Sequence, residues 1–220
     1  MYLILFCLIS FLIGGIPFGY LTGRLLLKDD IRNHGSGNIG ATNVARVIGW
    51  KWGALVLALD ALKGLIPTAA AMAFAEPDAE MRWHIPVAAG MCAILGHMYP
   101  IYLKLRGGKG VATALGVVLV LSPKSVGLAF VVFAVISGTT KLVALGSMIA
   151  AIVFGATHLY LTWDDAFESS KLSLTVFAIA IPLLIIWRHR SNIARMLTGT
   201  EASFTAPAKD DISPEETDRA

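Results

Sequence analysis

The sequence predicts an all-α, polytopic membrane bundle of seven apolar segments, two of them short, with the N-terminus outside and the C-terminus cytoplasmic. Three observations carry this. Hydrophobic residues make up 56% of the 220 residues and charged residues only 15%, against about a quarter charged in soluble domains. Mean hydropathy is +0.70. The remaining charges sit at the borders of apolar runs and alternate in density from one loop to the next.

In chain order, residues 2–26 are long enough to span at 1.5 Å per residue. They have no cationic leader region, and the apolar run continues through Gly14, Gly15 and Pro17, so a retained first helix is expected rather than a cleaved signal. A polar stretch, 28–46, follows. Further spans are expected over about 52–74 and 85–103, separated by a short acidic loop. Residues 111–138 as one helix would reach about 42 Å, too long for a core of about 30 Å. Ser122-Pro123-Lys124 marks the break, giving short segments 111–122 and 124–138. Spans over about 142–162 and 171–187 complete the set. One membrane domain over 1–206 is expected, with an acidic, disordered tail over 207–220.

Cations set the orientation. One set of loops holds Arg24, Lys28, Arg32, Arg46, Lys51, Lys104, Arg106, Lys109, Lys141, Arg188, Arg190 and Arg195. The other holds Arg82, Lys124 and Lys171. The first set is therefore expected on the cytoplasmic side. Cations confined to membrane borders also argue against a nucleic-acid partner. Cys7 and Cys92 both lie in apolar runs, which excludes a disulfide framework, and no Cys/His cluster has metal-ligand spacing, so neither metal nor cofactor is expected.

Four polar groupings fall on the expected cytoplasmic side. The first runs from His34 to Arg46 and includes Ser36, Gly37, Asn38, Gly40, Thr42 and Asn43. Glycines let backbone N–H groups converge on an anion, so this is either a phosphate pocket or a plain polar loop. The second joins His97 to Gly107-Gly108-Lys109-Gly110 and Thr113. A lysine among glycines at a helix start suits an anion, although Gly110 stands where a P-loop has Ser or Thr. The short stretches 37–42 and 108–113 are alike, suggesting two similar anion-holding turns. The third is Asp60 and Lys63, which share a helix face inside a span. It is either a structural ion pair or a phosphate-neutralising lysine. The fourth is Arg188 to Glu201, where His189 and Asn192 share a face. The arginines suit a basic juxtamembrane helix; His189, Asn192 and Glu201 do not need that role.

Gly35–Val44, Gly96-His97 with Pro100 and Gly107–Thr113, and His189 with Asn192, Arg195, Gly199 and Glu201 together resemble the three signature motifs of the bacterial acyl-phosphate:glycerol-3-phosphate acyltransferase (PlsY-type) family. The likeness covers nearly the whole chain in order. It implies a seven-helix inner-membrane enzyme, with its active site facing the cytoplasm, that acts in phospholipid biosynthesis. The family moves a fatty acyl group from acyl phosphate to the 1-hydroxyl of glycerol 3-phosphate, giving lysophosphatidic acid and phosphate, with a soluble acyl-phosphate synthase upstream. Two positions depart from its usual pattern: Leu105 replaces a frequent aromatic, and Ala144 a frequent serine, leaving Ser147 as the nearby hydroxyl.

Acyl phosphate has a good leaving group, so positioning and charge stabilisation suffice, and no Ser-His-Asp triad is evident. On this reading Ser36, His189 and Asn192 orient the reacting groups and donate to the oxyanion. The Lys109 turn holds acyl phosphate, and Arg46 and Lys63 hold the phosphate of glycerol 3-phosphate. An acyl-Ser36 intermediate is the rival mechanism. A transporter for a phosphorylated solute is the rival function, since broken helices and glycine turns serve transporters too.

Overall fold

The computed structural model describes residues 2–76 and 82–204, and these contain helices and turns but no strand. The expected tail 207–220 and the acidic loop residues Asp78 and Glu80 lie outside the described residues. Among the described residues ten α-helices follow one another: α1 (Tyr2–Gly14), α2 (Phe18–Leu26), α3 (Ala41–Val47), α4 (Trp50–Phe74), α5 (His84–Met98), α6 (Val111–Leu121), α7 (Pro123–Thr140), α8 (Val143–Leu161), α9 (Leu172–Arg188) and α10 (Arg190–Leu197).

Every apolar segment expected from the sequence is helical, but the first is not continuous. It breaks at Gly15-Ile16-Pro17, because Pro17 has no N–H to donate and its ring obstructs the preceding turn. The expected break in 111–138 is present: α6 ends at Leu121, and Pro123 occupies the first turn of α7. Ser122, between them, shares its hydroxyl with Ser125 Oγ and His158 Nδ1, each at 2.9 Å. Among the described residues, five helical stretches are long and apolar enough to cross a membrane. A sixth arises if α9 and α10, bent by 55°, count as one. At 11 residues, α6 extends about 16 Å, roughly half a hydrocarbon core.

Helices pack backbone to backbone where glycines face each other's chains. A Cβ on Gly116 would lie 1.9 Å from the Ala61 carbonyl oxygen, and one on Gly64 2.2 Å from that of Thr113, so α4 and α6 cross closely. Gly14 and Gly96 do the same for α1 and α5. The core between them is built from Ile94, Met98, Val117, Phe177 and Ile181. Large apolar side chains such as Ile4, Phe74, Leu128 and Leu183 point outward, the pattern of a bundle solvated by lipid.

The polar stretch before α3 has a small core of its own. Ile31, Ile39 and Val44 bury themselves against Val56 of α4 and Leu103. That anchor fixes the loop on one end of the bundle, where the starts of α3 and α6 and the α9–α10 joint meet.

Candidate active site

Asn43 organises the first wall of the site. Its side chain is 1% exposed. Its Oδ1 accepts the Ser36 N–H at 2.8 Å, and its Nδ2 donates to the carbonyls of Ile31, His34 and Asn38 at 3.2, 3.1 and 2.8 Å. Asn38 Oδ1 in turn accepts the Gly40 N–H at 2.8 Å. The chain can fold back this tightly because Gly35 and Gly37 adopt φ of +58° and +69°. Ser36, Asn38, Gly40, Thr42, Asn43 and Arg46 thereby line one cavity of about 350 Å³.

The second wall is the loop into α6, and here the structure differs from expectation. The N–H groups of Gly107 and Gly108 do not point to an anion. They donate to the Met98 and His97 carbonyls at 3.2 and 3.1 Å, closing the end of α5. Their own carbonyls accept from Arg188: Nη2 reaches Gly107 at 3.1 Å and Gly108 at 2.7 Å, and Nε reaches Gly108 at 3.2 Å. Gly108 is small because a Cβ there would sit 2.1 Å from His97 Nε2. What reaches the cavity is Lys109, Gly110 and the first turn of α6, with His97 behind them.

The third wall is the α9–α10 joint. His189 Nδ1 donates to the Ile185 carbonyl at 2.8 Å, which leaves Nε2 as an acceptor. The expected donation from His189 to an oxyanion therefore gives way to acceptance. Lys109 Nζ donates to Asn192 Oδ1 at 2.5 Å; Asn192 Nδ2 donates to Glu201 Oε1 at 2.6 Å; Arg195 Nε donates to Glu201 Oε2 at 2.7 Å. Asn192 is thus held at both ends. Burial pushes the Lys109 ammonium down to about 8; Glu201 opposes the shift, while Arg195, Arg46 and Arg188 add to it.

Lys63 is placed elsewhere. It pairs with Asp60 at 2.7 Å and donates at 2.8 Å to the Ile16 carbonyl in the α1–α2 break, which also accepts the Phe18 N–H at 3.2 Å. It does not line the cavity, whereas Asp60 does, with His97 Nδ1 3.7 Å away. Gly37, Gly107, Gly108 and Thr113 also lie off the cavity lining, and Thr113 is fully buried against Gly64. Ser147 lines it, its hydroxyl bonded to the Val143 carbonyl at 2.8 Å.

Sequence reasoning named Glu201 as a site residue but missed the rest of the closing strap, residues 202–204. Glu201, Ala202 and Phe204 lie along the cavity. Arg46 donates to the carbonyls of Ala202 and Ser203 at 3.3 and 3.5 Å, and Phe204 N–H donates to the Lys141 carbonyl at 3.1 Å. Arg46 Nε remains buried without a partner, a donor suited to an incoming anion. Ala54, Leu57, Phe133 and Val143 supply an apolar wall that no motif announced. Among the described residues no group of three His, Cys, Asp or Glu could hold a metal.

An apolar helical bundle with a cation-lined cavity at one end is the architecture of a multi-pass membrane protein built around an anion-receptive pocket. The family model for glycerol-3-phosphate acyltransferase matches residues 4–199, and the chain belongs to that family; it is an acyltransferase. A glycerol-3-phosphate acyltransferase of Myxococcus xanthus is 46% identical over 198 residues, covering 90% of this chain and 97% of that protein. One of Geobacillus kaustophilus is 41% identical over 205 residues, covering 93% and 98%. The crystal structure of PlsY (YgiH), an integral membrane glycerol 3-phosphate acyltransferase, in its glycerol 3-phosphate form superposes with a TM-score of 0.82 at 39% identity, over 92% of this chain and 96% of that one. Its lysophosphatidic acid form gives a TM-score of 0.78.

Proposed function

We propose that this protein transfers a fatty acyl group from acyl phosphate to the 1-hydroxyl of sn-glycerol 3-phosphate, releasing lysophosphatidic acid and inorganic phosphate. It would do so in the bacterial inner membrane, with seven membrane segments and the cavity facing the cytoplasm. Membership of an acyltransferase family sets aside the transporter reading. The observation that carries the proposal is the meeting of Ser36, Arg46, Lys109, His189 and Asn192 around one cavity with an apolar side wall. The neighbouring protein's glycerol 3-phosphate and lysophosphatidic acid forms support the same acceptor and product.

In this reading the acceptor oxygen attacks the acyl carbon directly. Its C–O bond forms as the acyl–phosphate C–O bond breaks, and phosphate leaves with the electron pair. The hydroxyl proton passes to a substrate phosphate, whose second pKa is about 6, with His189 Nε2 accepting the hydroxyl hydrogen bond that aims it. Ser36 Oγ–H and the N-terminal N–H groups of α6 donate to the developing oxyanion. Arg46 and Lys109 hold the two phosphates. Asn192 fixes Lys109 and is itself fixed by Glu201. Lys63, spent on Asp60 and the Ile16 carbonyl, is a structural cation rather than a substrate ligand. Leu57, Phe133 and Val143 receive the start of the acyl chain.

Purified protein in vesicles, supplied with acyl phosphate and labelled glycerol 3-phosphate, tests this. Lysophosphatidate with one equivalent of phosphate is expected, and Ser36→Ala should lose about 10²-fold or more in rate. Turnover from an acyl thioester but not from acyl phosphate would overturn the donor assignment. An acyl group trapped on Ser36 in the absence of acceptor would replace direct transfer with the two-step route.

A further inference from the structure

A second cavity, of about 490 Å³, backs onto the first. The same three segments wall both. Ser36 and Asn38 line the first cavity, and Gly37, between them, lines the second. Lys109 lines the first and Gly107 the second; His189 lines the first and its neighbour Arg188 the second.

The second cavity is strongly cationic. Its lining carries the guanidinium groups of Arg32, Arg106 and Arg188 against the single carboxylate of Asp30. Arg32 is held by that carboxylate, with Nε and Nη2 at 3.0 and 2.6 Å from Oδ2. Nearby Asp29 is engaged by the Asp30 N–H at 2.6 Å, by His34 Nε2 at 2.8 Å and by Asn33. Arg188 spends its bonds on neutral carbonyls and lies 5.2 Å over the Tyr99 ring, so its charge is uncompensated. Arg106 is exposed, and among the described residues its side chain has no hydrogen-bond or ion-pair partner. Leu105, which also lines the cavity, is 54% exposed, and Ile101 and Tyr102 of the same turn are 52% and 53% exposed. Arginines beside outward apolar side chains are what the headgroup layer of a membrane favours.

We propose that this groove is a second phosphate-binding site, distinct from the reaction cavity and lined by residues that neighbour its lining residues in the chain. The ligand chemistry is a phosphate monoester dianion or monoanion, for which planar guanidinium donors are suited. It can be delivered by an anionic lipid headgroup or by free phosphate. A bound group would bear on Arg188, whose grip on the Gly107 and Gly108 carbonyls seats Lys109.

Calorimetric titration of the full-length protein in neutral detergent tests the site, with dioctanoyl phosphatidate, inorganic phosphate and uncharged dioctanoylglycerol as separate probes. At least one phosphate probe should bind saturably, weaken roughly fivefold or more in Arg106→Glu, and persist in Arg46→Ala. Phosphatidate binding without inorganic phosphate binding assigns the site to a lipid headgroup; equal binding of both assigns it to free phosphate. Arg32→Gln should weaken the same event, giving a second, independent readout. The proposal fails if Arg106→Glu and Arg32→Gln leave the affinity unchanged, if Arg46→Ala abolishes binding, or if dioctanoylglycerol binds as well as phosphatidate.

Discussion

Gly108 and His97 form a pair in which each residue explains the other. The imidazole fills the space a side chain on Gly108 would need, at 2.1 Å from its Cβ position. Gly108→Ala should therefore cost about 1–3 kcal/mol by overpacking, measured as thermal unfolding in detergent. Adding His97→Ala should give back about 1 kcal/mol or more relative to additivity, because the two sites share one volume. Lys109 yields a pH prediction. With its pKa lowered to about 8 from the ordinary 10.5, it is charged below that value and neutral above it. The rate at low substrate concentration should fall as pH rises through about 8, and Lys109→Arg should move that alkaline limb upward by more than one pH unit. A limb unmoved by Lys109→Arg would assign the titration to another group. The presence of Lys109 at a helix start was legible in the sequence. Its partner Asn192 was legible as a site residue, but not as the group that holds it, because the two are 83 positions apart.

At the scale of elements, the α1–α2 break and the Lys63–Asp60 pair are one device. The sequence showed Pro17 and showed two charges on one helix face. It did not show that the charge on α4 reaches across to the Ile16 carbonyl at the α1–α2 break. A buried cation bonded to both a carboxylate and a carbonyl is costly to remove on one side only. Lys63→Met should destabilise by about 3–5 kcal/mol, while Asp60→Asn with Lys63→Met should lose less than the single change. If Lys63 instead bound substrate, Lys63→Met would raise KM for glycerol 3-phosphate and leave the unfolding midpoint in place. The Gly107-Gly108 turn belongs to this scale as well. Glycine next to lysine suggested an anion cradle, but the open end of α5 competed for the same N–H groups and took them. By contrast, the division of 111–138 was readable, since helix length, membrane thickness and Pro123 all bear on one local stretch.

Across the whole molecule, the site closes only when distant parts of the chain meet. Glu201 joins Asn192 and Arg195 of α10, the following residues reach Arg46 of α3, and Phe204 reaches the turn between α7 and α8. Glu201→Gln should reduce kcat/KM roughly tenfold. It should also shift the alkaline limb downward, because the carboxylate is what raises the Lys109 pKa against burial. An unchanged profile would mean that Glu201 serves only to tether the strap.

By itself the sequence determined an all-helical membrane protein, where its apolar segments fall, its break at Ser122-Pro123, and the three polar stretches from which the cavity is made. These follow from composition, periodicity and local chemistry, which act over a few residues. Only the tertiary structure decided which polar groups remain available to a substrate. Lys63 and the Gly107 and Gly108 amides are consumed by backbone groups; Arg46 and Lys109 reach the cavity; Arg188 turns to its far side. In a medium without water every backbone donor and acceptor must find a partner inside the protein. That partner can lie anywhere along the chain: 47 positions away for Lys63 and Ile16, 80 for Arg188 and Gly108.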